Sequence, residues 1–204
     1  DAAMDFANAS LEGEDEIEFW KKATSLMLGT SNKTISYPSN EKQYIRNYPP
    51  DMRQKLAIIA ADQMLSKKRY NTALRFLNML AEDNLLAPVK DYADALIGRI
   101  YFDMNNYANA RKMFTPLAEN SKSRFVRSTA EFYMASVDYQ ENKITRPELI
   151  KRLDRLRMVW RGDSLEPTVL EALGDLYVQE NDYISALRAW RELVRNYPDN
   201  PNAQ

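Results

Sequence analysis

Carboxylate pairs such as Glu171 and Asp175, which stand four residues apart, are the first candidates for chemistry in this sequence. On a helix this spacing places both side chains on one face. Acid–base catalysis would require them to lie in a closed pocket that shifts their pKa values. A groove open to solvent is the expected setting, so the pattern favours a binding surface over a catalytic centre.

Three further charged motifs favour structural roles. The acidic run lacks the alternating ligands and the central glycine of a calcium-binding loop, and it suits the first turn of a helix. The Arg161-Gly162-Asp163 tripeptide matches an integrin-binding motif, but a turn after Trp160 explains its glycine. The basic cluster is expected to be a solvated face, with an acidic partner or an anionic lipid surface as the alternative. The acidic run is Glu12, Glu14, Asp15, Glu16 and Glu18, and the basic cluster is Lys151, Arg152, Arg155, Arg157 and Arg161.

The composition excludes several classes of function. The sequence contains no cysteine and no histidine, which removes thiol nucleophiles, Ser-His-Asp machinery, zinc fingers and disulfides. Its formal net charge is -1, which argues against nucleic acid as the main partner. No run of about 18 apolar residues occurs, so no transmembrane segment is predicted. We therefore expect no catalytic residues, no metal ligands and no cofactor.

A short motif recurs along the chain. Two polar residues, a tyrosine and an alanine three residues later occur at Lys68-Arg69-Tyr70, Asn105-Asn106-Tyr107 and Asn181-Asp182-Tyr183. Small residues at the matching point of each unit stand 37, 37, 37 and 39 residues apart, at Thr24, Ala61, Gly98, Ala135 and Gly174. This spacing predicts five helix pairs, of which the first is degenerate.

Each repeated residue type has a packing reason. Two antiparallel helices joined by a short turn approach closely only where one contact point is small. Gly98 and Gly174 are predicted to supply that point on the first helices of their pairs. The large residues Phe114 and Trp190 on the second helices then fill the remaining space. The second helices supply small residues of their own at Ala73, Ala110 and Ala186.

These motifs resemble the tetratricopeptide repeat. The likeness rests on Leu173-Gly174-Asp175-Leu176-Tyr177 and Asn181-Asp182-Tyr183 with Ala186, Trp190 and Pro198, and on Ile97-Gly98 with Tyr101, Ala110 and Phe114. It implies an all-α, right-handed superhelical solenoid of about five antiparallel helix pairs. The implied organisation is a degenerate helical unit at 1–50 and four pairs at 51–87, 88–122, 123–162 and 163–200, within a longer chain.

A second resemblance concerns residues 143–166, which include Arg155-Leu156-Arg157-Met158-Val159-Trp160. They are similar to a segment of large, uncharacterised bacterial repeat proteins that are predicted to be exported. This likeness implies a place in the bacterial cell envelope or periplasm, with the cytoplasm as the alternative.

The repeat family also implies a binding groove, because its first helices line a concave surface. Carried onto this sequence, the partner-binding residues are Ile58, Asp62, Leu65, Tyr92, Arg99, Phe102, Phe132, Tyr139, Glu171 and Asp175. The middle of this groove is aromatic and its last part is acidic. The competing interpretation is that the aromatic rings pack between units.

The expected function is therefore a non-enzymatic scaffold that binds a peptide or helical segment of another protein in the groove. One alternative is a structural spacer or a self-association module. Another is a substrate-recruiting region of a larger enzyme.

Overall fold

The computed structural model describes residues 49–80, 85, 87–159 and 165–198, and these ranges contain eight α-helices and no strand. None of the helices in these ranges has the length and apolar character needed to cross a membrane. The helices are α1 (Pro50–Ser66), α2 (Tyr70–Met79), α3 (Ala87–Asp103), α4 (Tyr107–Asn120), α5 (Arg124–Gln140), α6 (Arg146–Val159), α7 (Leu165–Gln179) and α8 (Tyr183–Asn196). The chain is all-α over these ranges, as predicted. Residues 1–48 of the degenerate first unit, which include the acidic run, and Arg161-Gly162-Asp163 lie outside them.

The chain divides into two compact units, residues 1–85 and 86–204. In the first unit, α1 packs against α2. Alanines allow this contact, because Ala57, Ala60 and Ala73 are completely buried. Phe76 and Leu77 of α2 are also buried. The apolar side of each helix therefore closes on the other.

In the second unit the helices touch in chain order. Strong contacts join α3 to α4, α4 to α5 and α7 to α8, and α6 contacts both α5 and α7. In addition, α3 touches α5 and α5 touches α7. We call α1, α3, α5 and α7 the first helices, and α2, α4, α6 and α8 the second helices. Within the second unit, consecutive first helices are therefore neighbours.

Every first helix ends in the same backbone turn. At the end of α3, the Asn105 N–H donates to the Phe102 carbonyl (2.9 Å) and the Asn106 N–H donates to the Tyr101 carbonyl (2.8 Å). This pair of bonds satisfies carbonyls that a helix end leaves without partners. It requires a left-handed residue, and the positive φ angles of 57° to 62° fall at Lys68, Asn105, Asn142 and Asn181. These residues stand 37, 37 and 39 apart, which is the spacing of the small residues in the sequence.

The tyrosine of the recurring motif has a role in this turn. The Tyr107 hydroxyl donates to Asn105 Oδ1 (2.8 Å), and Asn106 Oδ1 accepts from the Asn109 N–H at the start of α4. In this copy of the motif the first polar residue takes the left-handed conformation and the second caps the next helix, whereas Arg69, the second polar residue before α2, makes no side-chain capping bond. The last pair repeats both bonds through Asn181, Asp182 and Tyr183.

Glycines set the distance between the helices of two pairs. A Cβ atom added at Gly98 would lie 2.7 Å from Cζ of Phe114, and one added at Gly174 would overlap the indole of Trp190. In both places the added atom would lie closer to the ring than van der Waals contact allows. The close contacts predicted for Gly98 and Gly174 are therefore confirmed.

The pair α5/α6 is more loosely joined than α3/α4. Its small first-helix residue is Ala135 instead of glycine. Its second helix places the buried side chain of Leu149 where α4 has Ala110 and α8 has Ala186. Because a leucine needs more room than an alanine, α5 and α6 cannot approach as closely at this point.

Replacing Gly174 by leucine should lower the free energy of unfolding by about 1–3 kcal/mol, because the new side chain has no room beside Trp190. Chemical denaturation followed by circular dichroism measures this change. Gln179→Ala is the control, since its side chain is exposed on the same helix. Equal unfolding free energies for the two variants would contradict the helix-pair contact.

Lys68→Gly should raise the free energy of unfolding by about 1 kcal/mol, because a lysine in the left-handed region carries a steric cost that glycine avoids. The neighbouring Lys67→Gly is the matched control. Lys67 is exposed and has no positive φ, so glycine should destabilise the protein there. A lower melting temperature for Lys68→Gly would show that the turn does not form as described.

Candidate functional site

The first helices of the second unit carry the predicted groove positions at matching places. Together with their equivalents Ala95, Thr129, Ser136, Thr168 and Val178, the predicted residues occupy four positions on each helix, 13, 10, 6 and 3 residues before its left-handed turn residue. Helical spacing places each group of four on one side of its helix. Because α3 touches α5 and α5 touches α7, the three groups belong to adjacent helices. We call these twelve residues the first-helix face: Tyr92, Ala95, Arg99, Phe102, Thr129, Phe132, Ser136, Tyr139, Thr168, Glu171, Asp175 and Val178.

The aromatic rings of this face pack between helices and are partly exposed. The ring of Phe102 lies 5.3 Å from that of Tyr133, and the ring of Tyr92 stacks on Phe125 at 6.1 Å. Both Tyr92 and Phe102 remain half-buried, whereas Phe132 is buried at 6% exposure. Phe132 therefore belongs to the core, and the other two residues join α3 to α5 while remaining half-buried.

Tyr139 lies at a junction of three helices. Its hydroxyl accepts a hydrogen bond from Arg146 Nε (3.2 Å) at the start of α6. Arg146 Nη1 also donates to Glu180 Oε1 (2.8 Å) and to the Gln179 carbonyl (3.2 Å) at the end of α7. The bonds to Tyr139 and Glu180 raise the pKa of Arg146 above its ordinary value. The half-buried Tyr139 ring is therefore held in place by its hydroxyl.

The charged members of the face differ in sign between its two ends. Arg99 on α3 and Glu171 on α7 are half-buried, and Asp175 on α7 is exposed. Between them, the Ser136 hydroxyl donates to the Phe132 carbonyl within α5 (2.9 Å). The part of the chain that the structure describes contains no group of three or more acidic side chains placed to hold a metal ion. The face therefore combines aromatic edges with a basic group at one end and carboxylates at the other.

The predicted groove residues of α1 belong to the other compact unit. Asp62 is exposed and Ile58 is half-buried, while Leu65 is buried at 3% exposure. Leu65 therefore offers almost no surface to a partner. These three residues are therefore not counted in the first-helix face, which is defined within the second unit.

Part of the predicted basic cluster is used in ion pairs. Arg152 bonds Asp138 (3.0 Å) and Glu148 (3.3 Å), and Arg157 bonds Glu192 of α8 (3.2 Å). These two arginines therefore connect α6 to α5 and α8, and they are not purely solvated. The other described members of the cluster are the exposed residues Lys151 and Arg155.

A groove of about 460 Å³ on the opposite side of α5 was not predicted. It lies between α4, α5 and α6, where the looser α5/α6 pair leaves room. Its lining is mainly apolar, with charged side chains among it: Ala118, Glu131, Met134, Ala135, Asp138, Arg152, Leu153, Arg155 and Leu156. No direct signal for this opening is present in the sequence, since Leu149, which stands where the other second helices have alanine, is buried and does not line it.

Two polar contacts between neighbouring helices were also missed. Arg111 Nη2 of α4 bonds Asp138 of α5 (2.7 Å) and Glu141, the residue that follows α5, and the bond to Asp138 is the main reason that the pKa of Arg111 is raised. The Tyr177 hydroxyl of α7 donates to Asp154 Oδ2 of α6 (2.6 Å). Burial and this bond raise the pKa of Tyr177 to about 12. Each contact joins a second helix to the first helix that follows it.

Comparisons of the chain with protein-family models, with curated proteins and with solved structures found no match. The likeness to tetratricopeptide repeats therefore stays a prediction that rests on the residues themselves.

Tyr177→Phe should remove a stabilising contribution that depends on pH. The native state keeps the phenolic proton up to about pH 12, whereas the unfolded chain releases it near pH 10. The contribution is therefore fully present below about pH 10 and is lost between about pH 10 and 12. Measured by urea denaturation, the difference in unfolding free energy between wild type and Tyr177→Phe should shrink over this range. A constant difference would contradict the bond to Asp154.

Proposed function

We propose that this chain is a non-enzymatic scaffold whose first-helix face binds a peptide or helical segment of another protein. The observation that carries the proposal is the adjacency of α3, α5 and α7, which brings partly exposed aromatic rings and carboxylates together on neighbouring helices. An extended or helical segment crossing these helices would contact all three.

The aromatic edges would provide most of the binding energy. Tyr92, Phe102 and Tyr139 are half-buried, and aromatic side chains commonly dominate interface energies. Because these rings are already held by packing or by a hydrogen bond, binding would cost little side-chain entropy. The buried Phe132 would support the surface from beneath without touching the partner.

The charges would set the orientation of the partner. Asp175 is exposed and Glu171 is half-buried at the α7 end, while Arg99 lies on α3. A basic residue of the partner would therefore be favoured near α7, and an acidic residue near α3. Such complementary charges mainly affect association rate and specificity.

We further propose that the helix pairs form a right-handed solenoid of the tetratricopeptide type, with the first helices on its concave side. Two features support this architecture. Identical turns recur at 37, 37 and 39 residues, and glycine meets an aromatic ring inside two of the pairs. The contacts of α3 with α5 and of α5 with α7 are those expected of successive first helices.

A peptide library displayed on phage and selected on the purified chain tests the binding proposal. We expect selection of peptides that combine apolar residues with lysine or arginine. In calorimetry, Asp175→Lys should weaken binding of a selected peptide by about fivefold to tenfold, because it reverses a charge at the acidic end.

Glu119→Lys is the matched control, since it makes the same charge change at an exposed residue of the second helix α4. It should leave the affinity unchanged. A library that yields no binders, or equal losses for the two variants, would overturn the proposal and favour a structural spacer.

A further inference from the structure

Helix α8 carries apolar residues on two of its sides. One side is the buried set Ala186, Ala189 and Leu193, which packs on the core. The other exposes Ile184, Leu187 and Val194, with exposed fractions of 74%, 50% and 49%. Apolar residues on a helix surface at spacings of three, four and seven form a stripe that normally packs against a neighbour.

The equivalent side of the other second helices in this unit receives the next first helix. Leu187 lies six residues after the left-handed residue Asn181, and Arg111 of α4 lies six residues after the left-handed residue Asn105. The two residues are therefore equivalent. Arg111 contacts Asp138 of α5. Helix α6 begins two residues later after its turn than α8 does. With these two residues allowed for, Asp154 of α6 is equivalent to Arg191 of α8, and Asp154 contacts Tyr177 of α7. On α8 this side lines an open groove.

This groove is basic. It has a volume of about 660 Å³ and is lined by Ile184, Leu187, Arg188, Arg191, Glu192 and Arg195. Its carboxylate, Glu192, already accepts a hydrogen bond from Arg157 of α6 (3.2 Å). Arg195 Nε donates to Asn196 Oδ1 (3.3 Å). The groove therefore offers an apolar stripe flanked by Arg188, Arg191 and Arg195, which are all exposed.

We propose that this side of α8, which we call the α8 face, binds an acidic amphipathic helix of a partner protein. The apolar stripe of that helix would cover Ile184, Leu187 and Val194, and its carboxylates would bond Arg188 and Arg191. The site lies on a different helix from the first-helix face and selects an acidic partner, whereas the α7 end of that face favours a basic one, so it goes beyond the proposed function.

Two arguments favour this occupant. The chain itself contains a related pairing, because α5 and the residue after it place Asp138 and Glu141 on Arg111 of α4, and Met134 lies against Thr115. A second copy docking through its own α8 face is disfavoured, since its arginines would meet those of the first copy.

A synthetic helical peptide with leucines along one side and glutamates beside them tests the proposal. Its control replaces every glutamate by lysine. Fluorescence anisotropy should detect binding of the glutamate peptide to the full chain, and binding should weaken as salt increases. Hydrogen exchange should show added protection within Tyr183–Asn196.

Two variants locate the contact. Arg191→Glu should weaken binding of the glutamate peptide at least about tenfold, because it turns an attractive charge into a repulsive one. Leu187→Gln should also weaken it by removing part of the apolar stripe. Lys112→Glu is the matched control, since it makes the same charge change at an exposed residue of α4, and it should have no effect.

Three results would overturn the proposal. The first is equal binding of the glutamate and lysine peptides, and the second is no binding of either. The third is a dimer in light scattering that Leu187→Gln dissociates, since a second copy would then cover the α8 face. None of these results bears on the first-helix face, whose test uses a different peptide and different variants.

Discussion

The approach of Gly98 to the ring of Phe114, repeated between Gly174 and Trp190, sets how closely the helices of these pairs lie. A single added carbon would overlap either ring, so a large residue on one helix requires a bare backbone on the other. Where the pair α5/α6 has an alanine and a leucine instead, its helices are joined less extensively and a groove opens beside them. The distance between the two helices of a pair therefore decides whether a groove opens beside that pair.

The turn after each first helix carries this arrangement along the chain. Because the left-handed residue recurs in the same backbone hydrogen-bond pattern, α2, α4 and α8 each begin two residues after it, whereas α6 begins two residues later. In the second unit, α4 and α6 then use one side for their own first helix and another for the next one. Both proposed binding surfaces follow from this rule. The first-helix face lies on successive first helices. The α8 face is the side of α8 equivalent to the sides of α4 and α6 that pack against the next first helix.

The sequence was sufficient to predict the helices, the turn spacing and the glycine contacts, because these depend on residue types at a fixed period. It did not predict which polar groups meet between helices, as Arg111 and Asp138 do, since such partners follow no period. It also did not distinguish the buried Phe132 from the half-exposed Tyr139, because groove position alone does not decide how far a ring inserts between helices. Pro116 lies inside α4, although the usual place of a helical proline is the first turn.

Distances between spin labels at Arg99, Ser136 and Asp175 would test most directly whether the first helices lie side by side as one surface. The sequence has no cysteine, so pairs of labelled cysteines can be introduced at these equivalent positions. Neighbouring packed helices lie roughly 10 Å apart. The account predicts that the distance from residue 99 to residue 175 is close to the sum of the distances from 99 to 136 and from 136 to 175. A distance from 99 to 175 as short as either of the other two would mean that the helices close into a bundle, and it would contradict the account.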